Sequence, residues 1–231
     1  MSFIALVPAR AGSKGVRNKN FKNFCGKPLI YWTLSEAFKS KYISDIIVSS
    51  DCKKILNYCR VNFFHRLKIL KRQKKLSLSS SPMHAVIKDA YKKLNLKKKK
   101  FTALILLQPT SPLRTVKDID EACKMFAKNT ADSLISISEL NHKYNPESLY
   151  VKKGHIIKRI SNAKITNIRQ NKKKYFSNNG AAIYITLKKN INKFIVGGKI
   201  LGYEMPTNRS IDIDTDYDFK LAELVKINEF F

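Results

Sequence analysis

The 231-residue chain has the length of one domain, and its 44 % apolar residues are enough to build a core. No run approaches the roughly 18 apolar residues that span a membrane. We therefore expect no membrane-spanning helix and no membrane partner. The apolar start at 1–8 follows no basic segment, so it favours a buried strand over a signal peptide. We therefore expect a cytoplasmic protein.

The charge is strongly positive, since 45 Lys and Arg residues against 17 Asp and Glu residues give +28. A field of this sign attracts polyanions. The excess is lysine, with 36 residues against 9 arginines, spread along the chain. Lys, Asn and Ile share A- and T-rich codons, so a biased genome accounts for this composition. A nucleic-acid site would interleave arginines and aromatic residues on one face, and we expect no specific nucleic-acid partner.

The four cysteines are scattered along the chain: Cys25, Cys52, Cys59 and Cys123. Cys52 and Cys59 are close in sequence, but no second cysteine pair or matching set of histidines accompanies them, which disfavours a zinc site. Buried, reduced thiols are the simpler interpretation.

Apolar runs alternate with helical patterns, which predicts one α/β domain over 1–231 with a mostly parallel sheet. The predicted strands cover 3–9, 45–50, 66–70, 101–107, 132–137 and 181–187. The predicted helices cover 28–40, 52–60, 82–94, 116–128 and 216–229.

One segment, 140–174, departs from this rhythm because it is polar and lysine-rich. Within it, 149–151 and 155–157 flank Lys152, Lys153 and Gly154, which predicts a hairpin. A segment that leaves the sheet and returns is a natural place for subunit contacts. We predict an inserted dimerisation arm at 140–174.

A polar loop at 9–20 follows the first predicted strand, where open α/β sheets bind ligands. Its glycines allow the backbone to approach a ligand closely. The cations of the loop suit a triphosphate: Arg10, Lys14, Arg17 and Lys19. The spacing is not that of a Walker A loop, and a solvated basic loop is the alternative.

A second motif, 106–114, follows the most apolar predicted strand. Its two prolines stiffen the turn. Gln108 offers a donor and an acceptor on one amide, as recognition of a base edge requires. For the hydroxyls of Thr110, Ser111 and Thr115, helix capping is the simpler interpretation.

A third motif, 211–218, carries four aspartates. In an extended backbone Asp212 and Asp214 point to the same side, while the alternating residues Ile211 and Ile213 face the core. Two like charges at that separation need a shared cation or proton, and Mg²⁺ held jointly with substrate phosphates fits. Asp216 and Asp218 suit the first turn of a helix, where the helix dipole favours acids.

Together the three motifs, placed at the ends of the first, a central and the last strand, resemble those of the acylneuraminate cytidylyltransferases, or CMP-sialic acid synthetases. The resemblance rests on 9–20, 106–114 and 211–218 and spans essentially the whole chain. It implies a Rossmann-like α/β fold of the nucleotide-diphosphosugar transferase type. It also implies a homodimer, with the arm on the partner subunit, and the substrates CTP and a nine-carbon acidic sugar.

The same resemblance implies roles for individual residues. The implied nucleotide site is Ala9, Arg10, Gly12, Ser13, Lys14, Lys19 and Asn20. The implied sugar site is Gln108, Arg169, Gln170, Asn179 and Gly180, which replaces the base-edge role of Gln108. The implied Mg²⁺ ligands are Asp212 and Asp214, and the implied catalytic residues are Arg10, Lys14, Lys19 and Asp214.

The implied reaction is attack of the sugar 2-hydroxyl on the α-phosphorus of CTP, with pyrophosphate leaving. Cations and Mg²⁺ would stabilise the charge that builds on the phosphates. The sequence does not identify the base that takes the hydroxyl proton, so a metal-bound hydroxide and a side chain both stay open.

Two segments depart from the family pattern where base or sugar is recognised. The segment 76–82 lacks the family's acid, and Ser177 stands where the sialic acid branch often has arginine. These departures leave the reaction in place and the sugar open among nonulosonic acids, including legionaminic and pseudaminic acid. The alternatives are an eight-carbon ulosonic acid, which 108–114 disfavours, and a non-catalytic polyanion-binding protein, which the +28 charge suggests.

Overall fold

Helices and strands alternate along most of the chain in the computed structural model, which describes residues 1–13, 15–160 and 173–228. The helices are α1 (Leu29–Lys39), α2 (Lys53–Asn62), α3 (Met83–Lys93), α4 (Val116–Lys128) and α5 (Asp216–Asn228). In the described ranges, none of them is both long and apolar enough to cross a membrane.

The strands in the first half of the chain are β1 (Phe3–Pro8), β2 (Asn23–Phe24), β3 (Lys27–Pro28), β4 (Ile43–Ser50), β5 (Leu67–Lys71) and β6 (Ala103–Leu106). Those in the second half are β7 (Ser133–Glu139), β8 (Tyr150–Lys153), β9 (Ile156–Arg159), β10 (Phe176–Asn178), β11 (Tyr184–Leu187) and β12 (Ile200–Glu204). Every predicted element is present, although its ends differ by up to three residues. The short strands β2, β3, β10 and β12 were not predicted from the sequence.

The main sheet has the order β10-β7-β11-β6-β1-β4-β5, and β12 pairs with β7 as well. Strands β6, β1, β4 and β5 run parallel, as do β12 and β7. The antiparallel pairs described in this main sheet involve β10 or β11, while β2–β3 and β8–β9 form separate antiparallel pairs. The predicted α/β fold with a largely parallel sheet is confirmed.

Both faces of the central strands are covered, which explains why β1 and β6 are continuous apolar runs rather than alternating ones. Phe3, Ala5 and Val7 of β1 pack into a cluster with residues of α1 and α4. Ile4 and Leu6 point the other way, into a cluster with residues of α3. The two clusters hold the sheet rigidly, so that the ends of its parallel strands can position a site.

The starts of two helices behave as predicted. Thr115 is the N-cap of α4 and forms a reciprocal capping box with Asp118. The carboxylate of Asp118 also accepts hydrogen bonds from Arg209 at 2.8 and 3.0 Å. Burial alone would raise the pKa of Asp118, but the hydrogen bonds from Arg209 and Thr115 outweigh it and lower that pKa. Asp216 and Asp218 lie in the first turn of α5.

The predicted hairpin in the arm is confirmed as the pair β8 and β9. Its turn is Gly154–His155 rather than 152–154, because Gly154 adopts the positive φ that a two-residue hairpin turn requires. The apolar side chains of the hairpin are exposed: Tyr150, Val151, Ile156 and Ile157. Residues 161–172 of the predicted arm lie outside the described part.

The cysteines divide into two pairs. Cys59 and Cys123 are buried as predicted, and burial raises the pKa of Cys59 to about 12. Cys25 and Cys52 are only half-buried, which corrects the expectation for them, because they lie in connections at the edge of the core rather than within helices.

Candidate active site

A cavity of about 270 Å³ opens beside the carboxyl ends of β1 and β6. It contains seven of the residues that the sequence predicts for the site: Arg10, Ser13, Lys19, Asn20, Gln108, Asp212 and Asp214. The three sequence motifs, which are far apart in the chain, therefore line one space. Pro8, Gly15, Arg72, Met83, Pro109 and Thr110 complete its lining.

Internal hydrogen bonds shape the loop after β1. The Ser13 hydroxyl donates to the carbonyl of Val16 at 2.6 Å and accepts from the backbone N–H of Lys19 at 2.9 Å. The Asn20 amide donates to the carbonyl of Arg10 at 2.9 Å. The loop is thus held folded without a ligand, with the guanidinium of Arg10 resting on the carbonyl of Gly12 at 2.8 Å.

Lys19 connects the first motif to the third. Its side chain is largely buried, with the residue only 9 % exposed. The ammonium donates to the carbonyl of Ile213 and lies 3.2 Å from Oδ1 of Asp214. A lysine ammonium that is buried must be paired with acceptors, as it is here, and is not a solvated charge. The alternative of a solvated basic loop therefore does not describe Lys19.

Asp212 is half-buried, and one of its carboxylate oxygens is buried without a partner among the described residues. Its Oδ1 has no hydrogen-bond partner within the described residues, and neither does the buried hydroxyl of Thr110. Burial raises the pKa of Asp212, and the charge of Asp214 adds to that rise. The Thr110 hydroxyl and Lys19 oppose it, although Thr110 does not reach normal hydrogen-bond geometry with Asp212. An orphaned carboxylate oxygen is a candidate ligand for a cation.

The third motif reaches the cavity by a route that differs from the prediction. It does not follow a strand end directly, because β12 ends at Glu204 and a 3-10 turn at Thr207–Arg209 intervenes. Instead the backbone N–H of Ile213 donates to the carbonyl of Thr110 at 2.8 Å, which aligns 211–214 beside the second motif. Ile213 is buried and Ile211 packs against the same cluster, as predicted.

Two glycines allow the carboxylates to lie where they do. Gly180 has φ +69°, and a Cβ there would lie 2.3 Å from Cγ of Asp212. A Cβ on Gly15 would lie 2.0 Å from the backbone oxygen of Asp214. No side chain fits at either position without moving the third motif.

Gln108 is fixed through its backbone. Its N–H donates to the carbonyl of Ala181 at 3.1 Å, and its carbonyl accepts from Arg114 at 3.4 Å. Arg114 is fully enclosed and also donates to Ala182 at 2.5 Å and to Thr33 at 2.8 Å. Burial lowers the pKa of Arg114 to about 10, which still leaves it charged at neutral pH. The arginine of the second motif therefore serves the framework.

Arg72 is a cavity residue that sequence analysis missed. It follows β5 directly and is 5 % exposed, with its guanidinium donating to the hydroxyl and carbonyl of Ser49 at 3.1 and 2.7 Å. Burial lowers the pKa of Arg72; the nearby Arg10 acts in the same direction, and Asp51 opposes both. The available signal was its position at the carboxyl end of a parallel strand.

The remaining predicted residues have other positions. Ala9 is buried, and its backbone N–H donates to the carbonyl of Ser49. Neither Ala9 nor Gly12 lines the cavity. The Asn179 amide is engaged with Ser136 at 2.6 Å and Ser210 at 3.0 Å. Lys14, Arg169 and Gln170 lie outside the described residues. Helix capping is wrong for Thr110 and Ser111, because their hydroxyls have no partner within the described residues.

Comparison with known proteins places this geometry in a family. A profile of the family described as cytidylyltransferase matches residues 4–231, and the chain belongs to that family. It is 32 % identical over 240 residues to a CMP-N,N'-diacetyllegionaminic acid synthase of Legionella pneumophila, covering 99 % of this chain and 98 % of that protein. It is 29 % identical to an N-acylneuraminate cytidylyltransferase of Streptococcus agalactiae, covering 95 % of this chain but only 52 % of that protein.

The fold is shared with a solved CMP-2-keto-3-deoxy-manno-octonic acid synthetase complexed with CTP. That structure superposes with a TM-score of 0.71 at 13 % identity and covers 99 % of this chain and 100 % of its own. Together these similarities confirm the predicted family, the predicted fold and the assignment as a nucleotidyltransferase.

The close approach of Gly180 to Asp212 generates a prediction. We expect Gly180→Ala to destabilise the protein by about 2–4 kcal/mol, from backbone strain plus displacement of the carboxylate. Gly154→Ala is the matched control, because Gly154 also has positive φ but its Cβ would meet nothing within 4 Å. Thermal unfolding of both variants measures the difference, and equal losses would show that contact with Asp212 costs nothing.

Proposed function

We propose that this chain transfers CMP from CTP to a nine-carbon nonulosonic acid and releases pyrophosphate. The observation that carries the proposal is the single cavity in which a cationic loop, Gln108 and the Asp212–Asp214 pair meet. Membership of the cytidylyltransferase family supports the nucleotide, and the names of the relatives support an ulosonic acid as the acceptor.

The charges of the cavity suit the proposed reaction. Arg10, Lys19 and Arg72 line it and bind the negative charge of a triphosphate. Because they are positioned before the substrate arrives, they stabilise charge that grows on the phosphates without reorganising. The sugar 2-hydroxyl attacks the α-phosphorus from the side of Gln108 and gives its proton to a general base. The bond between the α-phosphorus and the bridging oxygen breaks, and pyrophosphate leaves with its charge next to the cations of the loop.

Magnesium is part of this proposal. Asp212 and Asp214 would hold it, since one offers an oxygen without a partner and the other an exposed carboxylate. Two carboxylates, with substrate phosphates as the other ligands, form the usual environment of Mg²⁺. In the described residues no group of three or more His, Cys, Asp or Glu side chains forms a fuller metal site. When bound, Mg²⁺ would neutralise charge on the phosphates.

The identity of the sugar is proposed from the relatives and from the departures in sequence. Ser177, which stands where an arginine is common in the sialic acid branch, lies in β10 opposite Ser138. No cation therefore occupies that position to pair with a sugar carboxylate. The first candidate is an acid of the legionaminic type, because the name of the Legionella relative contains that acid. A cytoplasmic location remains a prediction.

The test of this function is pyrophosphate release from CTP and Mg²⁺ against a panel of ulosonic acids. We expect turnover with at least one nine-carbon acid and weaker or no turnover with the eight-carbon acid. Turnover with a different nucleotide, and with no acid in the presence of CTP, would contradict the proposal. Retention of RNA with a steep salt dependence and no turnover would favour the polyanion-binding alternative.

Asp214→Asn should abolish turnover with little loss of stability. The carboxylate is 77 % exposed, so its ion pair with Lys19 contributes on the order of 1 kcal/mol or less. An amide oxygen still accepts the bond from Lys19 but binds Mg²⁺ poorly. Turnover and thermal unfolding are measured beside Asp89→Asn, which removes an equal charge from a carboxylate paired with Lys93 on α3. Full activity with unchanged Mg²⁺ dependence in Asp214→Asn would contradict the metal assignment.

We also propose a homodimer formed through the arm. Tyr150, Val151, Ile156 and Ile157 of the hairpin are exposed although apolar, and Leu149 adjoins them. The hairpin pairs only within itself among the described strands, so it has no core of its own. A two-fold interface would cover these side chains. Repulsion between the lysines of the two hairpins would weaken the dimer at low salt.

Ile156→Asp should therefore weaken the dimer. The residue is 77 % exposed, so the change costs the single chain little but places a charge in the interface. Val61→Asp is the control, because Val61 is a similarly exposed apolar residue, at 68 %, outside the arm. Sedimentation at micromolar concentration should show twice the chain mass for wild type and Val61→Asp and a large monomer fraction for Ile156→Asp. A monomeric wild type with normal turnover would refute the proposed role of the arm.

A further inference from the structure

A second cavity lies on the other side of the loop that lines the active site. It has a volume of about 510 Å³ and is larger than the first. Its lining comes from the loop after β1, the start of α2 and the start of α5: Arg10, Ala11, Arg17, Asn18, Phe21, Lys22, Cys52, Lys54, Ile55 and Asp216. Among the described residues, Arg10 alone lines both cavities, so it lies at their boundary.

The second cavity carries an uncompensated positive charge. Four cations of the described part line it, and one of them, Lys22, is paired with Asp216 at 2.8 Å. Within the described ranges, Arg10, Arg17 and Lys54 form no ion pair with a carboxylate. Asp51 lies behind the same wall, where its carboxylate accepts from the backbone N–H of Ala11 at 2.9 Å. The balance of charge around the space is still positive, which favours binding of an anion.

The start of α2 adds donors to the same wall. Its first backbone N–H groups have no acceptor within the helix, and the Cys52 side chain does not cap them. Lys54 and Ile55, both in that first turn, line the cavity. Unpaired N–H groups beside cations form an environment that suits phosphate oxygens.

The aromatic lining argues for an inorganic anion rather than a nucleotide. Of the residues that the structure describes, Phe21 contributes the one ring in the lining, and the ammonium of Lys54 lies over it at 4.8 Å from the centroid. The same ring meets Tyr58 edge to face, with centroids 5.5 Å apart. A nucleobase would have to displace Lys54 in order to stack, whereas a small anion keeps it as a partner.

We propose that this second cavity is a binding site for a condensed phosphate, inorganic pyrophosphate being the ligand of matching chemistry. The identification of pyrophosphate rests on the proposed function, which releases that anion on the opposite side of Arg10. Arg10 connects the two sites, while Arg17, Lys54 and the first turn of α2 belong to the second site alone. Pyrophosphate there lies behind the loop and leaves the first cavity to the nucleotide.

The experiment is a calorimetric titration of pyrophosphate into the full chain with saturating CTP and no acceptor sugar, so that the first cavity is filled and no transfer occurs. Wild type should bind one pyrophosphate per chain under these conditions. Lys54→Glu should weaken that binding at least about tenfold, the effect of losing one charge-assisted contact. A glutamate in a first helical turn is compatible with folding.

Lys53→Glu is the matched control, since it makes the same change of charge in the same turn of α2 but does not line the cavity. We expect its affinity for pyrophosphate to stay within about twofold of wild type, the small effect of a screened surface charge. The proposal is overturned if CTP-saturated wild type binds no pyrophosphate, or if the two variants lose affinity equally. Equal affinity for orthophosphate would overturn the assignment of a condensed phosphate. Because no turnover is required, failure of this site and failure of the proposed function give different results.

Discussion

The contact on which the active-site cavity depends is the buried ammonium of Lys19. It joins the loop after β1 to the segment before α5 by donating to Ile213 and pairing with Asp214. Without it, a buried cation would lack acceptors and the Asp212–Asp214 pair would lose a neighbouring positive charge. With it, the cations and the carboxylates of the site hold one another in place before any substrate binds, which is the condition for electrostatic preorganisation.

The neighbouring contacts support this one by limiting how the third motif can move. Ile213 is tied to Thr110 on one side, and Gly180 leaves room for Asp212 on the other. The chain before the motif is held by Arg209, whose ion pair with Asp118 ties it to the start of α4. The two carboxylates are therefore held in position by the sheet and its connections, and do not lie on a freely moving surface loop.

Sequence analysis predicted the fold and most of the cavity because strand ends of a parallel sheet meet at one edge. That geometry brings Arg10 and Gln108 together from distant positions. Sequence analysis did not reveal Arg72. A single arginine just after a short strand does not stand out in a lysine-rich stretch of sequence. Strands β10 and β12 were missed for a related reason: they are short, and their pairing with β7 is decided by tertiary contacts rather than by alternation.

The backbone of Gln108 is held at both its N–H and its carbonyl, by Ala181 and by Arg114, while its side chain lines the cavity. Under the proposed sugar-site role of Gln108, the contacts that fix the fold and those that would recognise the acceptor are separable at this residue. Substitutions at position 108 can change the shape and polarity of the cavity without disturbing the hydrogen bonds that fix the second motif. If Gln108 contacts the acceptor as proposed, position 108 is the place to alter acceptor choice, while Arg114 is better left unchanged because it holds the framework.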